Sequence, residues 1–281
     1  VRRDGGLVNY TKEHKMTGIR RGAVAATLAA SMLLAACGGD EATSESPSEP
    51  ATTDQPAATN DPSAGLPQGS EPANLDPAEF TTNIDNPYLP LAVGSRWVYS
   101  ETEPGEPDQR VVVEVTDKTK MIANGVEAVV VRDTVSAGGE PIEITDDWYA
   151  QDADGNVWYL GEDTAEYEDG KVASREGSFE AGADGAEAGI AMPANPEDGM
   201  TYRQEYLEGE AEDRAEILSL SEKAQVPAGY YPETLMTKDL VPLEPKVSEL
   251  KFYAEGVGQV LAIHTSGGEG REELISFTPG E

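Results

Sequence analysis

The fold class this sequence predicts is all-β, an antiparallel meander of about ten to twelve strands curved into a half-barrel or barrel. Three observations carry that expectation. β-branched and aromatic runs recur between turn signals from residue 96 to the C-terminus. No long segment has its apolar residues spaced at the 3.6-residue period of a helix. Strands also do not alternate with helical patterns, as a parallel sheet would require.

The elements follow in order. An extended approach at 86–91 (NPYLPL) leads into a first strand at 96–99 (RWVY). Residues 110–122 (RVVVEVTDKTKMI) meet Asn124-Gly125, a two-residue hairpin signal, and 126–135 (VEAVVVRDTV) return. After Gly138-Gly139, residues 141–151 (PIEITDDWYAQ) form the third long strand. The string Asp152 to Asn156 (DADGN) turns the chain into 157–160 (VWYL), and Asp169-Gly170 turns it again before 171–175. Further strands are expected at 201–207, 214–221, 234–240, 248–254, 258–265 and 273–277. Between them, residues 177–199 are rich in Gly and Ala and read as a long loop. Such a loop is either a disordered insertion or a flap, with Ile190, Met192 and Pro193 as its apolar tip.

The N-terminal region carries a different signal. Residues 22–36 (GAVAATLAASMLLAA) are uncharged and mostly Ala and Leu, shorter than the roughly 20 residues a spanning helix needs. Arg20 and Arg21 precede them, and Leu34-Ala35-Ala36-Cys37 closes the run with the one cysteine of the chain. This arrangement resembles the signal peptides of bacterial lipoproteins. The resemblance implies that the Cys37 thiol receives a diacylglyceryl group and that the chain is cut just before it. It implies too that the product hangs by fatty acids such as palmitate from the extracytoplasmic face of a membrane of the cell envelope. Met16 gives a signal of ordinary length and reads as the start.

Three regions are therefore expected: a signal at 1–36, a lipidated cysteine with a disordered tether at 37–78, and a β domain at 79–281. The tether is rich in Pro, Ser, Thr and acids and too poor in large apolar residues to fold. A flexible chain of that length spans on the order of 35 Å. With one cysteine, already assigned to lipid, no intrachain disulfide supports the domain.

The chain carries 53 acidic and 20 basic residues, a net charge of −33, and residues 38–281 carry 51 and 14. Such acidity excludes nucleic acid as a partner and disfavours lying on anionic lipid. The reaction classes with recognisable residue sets also fall away. His264 is the one histidine beyond the signal region and sits in an alternating strand, and no Gly-x-Ser-x-Gly elbow exists. No catalytic residue is assigned.

Two constellations remain. If Gln151 pairs with Val157, then Asp146 faces Glu162 across the strands, and like charges so opposed are destabilising. A calcium ion would relieve this, with Asp152, Asp154 and Asn156 as oxygen ligands at alternate positions; Asx-rich turns give the same string without a metal. The second constellation is aromatic. Trp148, Tyr149, Trp158 and Tyr159 lie on adjacent strands, so each face of the sheet receives aromatics from both. One face is then core, and the other lines a concavity or meets an envelope protein.

The stretches 148–171 and 200–216 resemble a recurrent secreted bacterial β domain without an assigned activity. Residues 251–260 (KFYAEGVGQV) are similar to strand-turn-strand segments of half-barrel envelope proteins. The leading expectation is a non-enzymatic binding module for an apolar or lipid-like ligand, lined by Trp148, Trp158, Tyr149, Tyr159 and Met192. A calcium-dependent structural or adhesive domain is the alternative, and an envelope hydrolase comes third.

Overall fold

The computed structural model describes residues 61–266 and 269–281. Arg20, Arg21, Leu34, Ala35, Ala36 and Cys37 lie outside them. A short 3-10 turn, Pro77–Glu79, precedes sixteen strands. They are β1 (Phe80–Thr81), β2 (Arg96–Thr102), β3 (Gln109–Met121), β4 (Glu127–Ala137), β5 (Glu140–Asp152), β6 (Val157–Glu168), β7 (Lys171–Ser174) and β8 (Phe179–Glu180). There follow β9 (Glu187–Met192), β10 (Thr201–Arg203), β11 (Glu205–Tyr206), β12 (Arg214–Val226), β13 (Gly229–Leu240), β14 (Ser248–Ala254), β15 (Gly258–Ser266) and β16 (Arg271–Thr278).

All pairings are antiparallel, and the sheet runs β10-β12-β13-β14-β15-β16-β2-β3-β4-β5-β6-β9-β11. The two ends of this path are neighbours in the chain. β10 and β11 are pieces of one segment, 201–206, interrupted at Gln204. Its first half pairs with β12 (Tyr202↔Ala215) and its second with β9 (Glu205↔Ala188). One short segment thus joins both edges, and the sheet becomes a nearly closed antiparallel barrel with few exposed edges. The approach across this seam is tight. A Cβ on Gly189 would lie 2.2 Å from the Gln204 carbonyl group, so only glycine lets β9 pass there.

Two corrections concern the chain around the seam. Residues 61–78, expected as the end of the tether, instead pack against the barrel as a strap. The Thr201 N–H donates to Ser63 Oγ at 2.9 Å, Gln68 Nε2 donates to the Thr201 carbonyl at 2.6 Å, and the Arg203 N–H donates to the Pro67 carbonyl at 2.7 Å. Leu66 and Leu75 supply apolar contacts. Polar composition misled here because the segment is held by hydrogen bonds to backbone, which periodicity does not register.

Residues 177–199 are neither a disordered insertion nor a flap. They contain β8 and β9, and Ile190 and Met192 are wholly buried core residues that pair with Trp158 and Val157. Their Gly and Ala are small because the strand lies close against its neighbours.

The expected hairpin at Asn124-Gly125 forms with a three-residue loop. Ile122 and Val126 close it through the Ile122 N–H and the Val126 carbonyl at 2.9 Å, and Gly125 takes the positive φ (+93°). Residues 152–156 repeat this geometry, with Gly155 at φ +96°.

The core has two parts. The main cluster, including Trp97, Val111, Val131, Ile217, Leu235, Leu261 and Leu274, lies within the barrel wall and its interior. A second cluster, including Val126, Val130, Trp148, Ala150, Leu160 and Ala188, covers the opposite face of β4–β6, where Ala73, Leu75 and Phe80 close over it. β4 is consequently buried on both faces, and Ala128 to Val131 form an uninterrupted buried run.

Candidate functional site

The barrel interior contains a chamber of about 640 Å³. Leu89, Leu91, Trp97, Val113, Val131 and Ala191 form apolar wall, and Tyr99, Tyr149, Tyr159 and Tyr253 add rings. Eleven acidic residues also line it, against two basic residues, Lys251 and Arg271, and His264.

A single bulge decides which side chains of β5 and β6 enter. Asp147 pairs with Glu162 and Tyr149 with Tyr159, so Trp148 alone faces both Leu160 and Gly161. The extra residue lies on β6 at Gly161, whose φ is +125° and whose Cβ, if present, would meet the Phe179 carbonyl oxygen at 2.2 Å. Alternation would turn Glu162 away from Tyr159; the bulge brings the two to the same side. Asp147, Tyr149, Tyr159 and Glu162 accordingly line one wall. The expected opposition of Asp146 to Glu162 is thereby corrected: Asp146 faces Asp163.

That opposed pair is met by arginines. Arg132 forks onto Asp146 with bonds of 2.7 and 2.6 Å, and Arg175 bonds Asp163 at 2.5 Å. The Asp152 carboxylate accepts from four protein donors: the Asp154 N–H, the Asn156 N–H and side-chain amide, and the Trp158 indole. Asp154 and Asn156 belong to this turn, away from the chamber. Of the five oxygen-bearing residues considered together from sequence, only Glu162 lines the chamber. Among the described residues, no three His, Cys, Asp or Glu side chains converge as a metal centre requires.

The aromatics divide by face. Tyr149 and Tyr159 line the chamber with ring centroids 5.1 Å apart. Trp148 points the other way, into the second core cluster, with the Lys120 ammonium 4.0 Å from its ring. Trp158 contacts Phe80 edge-on at 6.2 Å, and Met192 is wholly enclosed in the core.

The electrostatics of the chamber are unusual. The Tyr159 hydroxyl lies 2.8 Å from Asp147 Oδ1 and 2.5 Å from Glu162 Oε2. One phenolic proton can serve only one of these oxygens, so the other contact needs a proton from a carboxyl group. Glu162 is the group suited to hold it. Burial, with the neighbouring Asp147 charge, pushes its carboxyl well above the ordinary range.

Glu205, on the closing segment, is 2% exposed, and its carboxyl is likewise pushed well up by burial and by Asp213. Burial raises Asp213 to about 7 against the opposing pull of Lys251. Lys251 pairs with Asp239 at 2.7 Å and with Glu249 at 3.5 Å. Burial works against its charge, but these two carboxylates outweigh burial and hold its ammonium well above the usual lysine range. His264 Nε2 stands 3.5 Å from Glu249 on the same wall.

Glu205, Asp239 and Lys251 were not singled out from the sequence, because nothing local marks them; Asp213 stood out only as part of the acidic run 209–216. They meet only where the sheet closes. Gly161 was a readable signal, since an isolated glycine within a strand pattern marks a bulge.

Fold and site together define a nearly closed β-barrel with an acidic, aromatic-walled internal chamber. No protein family and no curated relative matches the chain. Among solved structures it is similar to a Bacteroides fragilis protein described as exported, with a YmcC-like fold; identity is 16%, coverage 68% of this chain and 99% of that one, and TM-score 0.40. It is also similar to a protein from Parabacteroides distasonis described as a lipoprotein, at 12% identity, 69% and 99% coverage and a TM-score of 0.38.

Proposed function

We propose that this chain is an extracytoplasmic, lipid-anchored binding module that holds a small molecule inside its barrel and catalyses no reaction on it. The anchor rests on the Leu34-Ala35-Ala36-Cys37 signal. The binding role rests on one observation, the internal chamber. Its volume of about 640 Å³ falls within the range of small-molecule sites, and its walls combine apolar and ring surface with a large set of acidic groups. A purely apolar, lipid-like occupant fits the Leu89, Leu91 and Trp97 wall but not the acidic residues opposite. The ligand is therefore amphipathic. The calcium-dependent alternative is less well supported, because Asp152 and Asp146 are engaged by protein donors.

Native mass spectrometry of the full chain, extracted from membranes in mild detergent, tests both parts. The expected protein begins at Cys37, carries acyl mass there, and retains a small molecule. An Ala191→Trp variant, whose ring fills the chamber, should keep the acyl mass and lose the small molecule. An empty native protein would sink the binding role; an unmodified Cys37 would sink the anchor.

A further inference from the structure

We infer that the chamber's ligand is an organic cation, an ammonium- or amidinium-bearing molecule whose charged head sits against Asp147, Glu162, Glu205 and Asp213. This rests on the binding role proposed above and specifies its chemistry. Acidic residues alone would not carry the inference, since solvated carboxylates are common on so acidic a chain. Glu205 is different. It is 2% exposed, it lines the chamber, and its Oε1 is buried without a hydrogen-bond partner. A buried carboxyl oxygen lacking a donor is costly and is retained where something else supplies the donor.

The chamber's two basic residues are committed elsewhere, Arg271 to Glu273 at 2.9 Å. Lys251, which acts on both Glu205 and Asp213, is held by Asp239 and Glu249. A water molecule could donate to Glu205 but would not draw the proton off its raised carboxyl. An N–H-bearing cation does both.

Three further features favour an organic cation over a metal ion. The chamber is many times larger than an ion. Among the described residues, no set of side chains converges as a metal requires. The adjoining Tyr149 and Tyr159 rings offer π faces that attract ammonium and guanidinium groups, and Leu89, Leu91 and Val131 receive an apolar body. The net charge of −33 would also raise the local concentration of cations and speed their encounter with the protein. Anionic ligands are disfavoured by the same field.

The test uses hexylamine, hexanol and hexanoate, which share a tail and differ in head group, titrated calorimetrically into the full chain in detergent, with empty micelles as control. Hexylamine is expected to bind at least about tenfold more tightly than hexanol, with hexanoate weakest. Glu205→Gln should weaken hexylamine about tenfold and leave hexanol within about twofold, since it removes the carboxyl that ionises against the ammonium and keeps the shape. The variant relieves a buried unpartnered carboxyl, so it is expected to fold; Asp213→Asn provides a second, independent removal of charge. If hexanol binds as tightly as hexylamine and neither variant matters, the chamber binds ligands but the cationic preference is wrong. If none of the three binds, the inference fails together with the binding role.

Discussion

The Arg203 guanidinium donates a 2.6 Å hydrogen bond to the Ala188 carbonyl, across the seam where the barrel's two edges meet. Arg203 is 1% exposed, and its Nη1 donates to the Gly69 and Glu71 carbonyls of the N-terminal strap. One side chain thus ties the closing segment to β9 and to the strap. Of the three carbonyls, that of Ala188 lies in the buried seam, while those of the strap lie nearer the surface.

Replacing Arg203 with Met should therefore lower the free energy of unfolding by about 3 kcal/mol, because the seam carbonyl of Ala188 and the two strap carbonyls lose a charged donor together. Lysine should restore only part of this, since a point charge cannot reach acceptors in several directions as a planar fork does. Chemical denaturation of the three proteins checks this. An unchanged midpoint in Arg203→Met would show that the seam does not depend on this residue.

Asp152 makes a second prediction. Its carboxylate accepts four hydrogen bonds within its own hairpin, so Asp152→Ala should destabilise the protein by about 1–2 kcal/mol. The loss should be equal in calcium and in chelator, because it comes from the turn. Melting temperatures under both conditions decide it; a calcium-dependent rise in the native protein that vanishes in the variant would restore the calcium reading.

A third prediction concerns pH. Glu162, Glu205 and Asp213 all have carboxyls raised by burial, Asp213 from 3.8 to about 7. Below roughly pH 4 both folded and unfolded chains hold these protons, and the groups contribute no pH dependence. As pH rises the unfolded chain releases them first, the folded state holds more protons, and stability falls. For Asp213 the fall continues to about pH 7. Denaturation midpoints should thus be higher near pH 5 than near pH 8, and Asp213→Asn should show a shallower decline. A native profile that rises across this interval would contradict the buried, proton-holding state of the cluster.

Much of the architecture was legible in the residues themselves. Val111 to Val115, Val129 to Val135 and 248–254 read as strands because β-branched runs and turn residues act within a few positions of one another. The same local signals located the turns at Gly125 and Gly155. They failed at β9, where Gly189 and Ala191 hide a buried strand among small residues, and at 61–78, whose order comes from partners more than a hundred positions away.

The sequence alone determined an antiparallel β fold and its strong acidity, and it carries the Leu34-Ala35-Ala36-Cys37 motif on which the proposed anchor rests, since composition, alternation and short motifs are local properties. Only the tertiary structure decided that 201–206 joins both sheet edges, that Gly161 turns Glu162 inward, and that Glu205 and Asp213 share a chamber with Lys251. Those outcomes depend on pairing between residues far apart in the chain. A one-residue shift in register exchanges the inside of a barrel for its outside, and no local pattern specifies that shift.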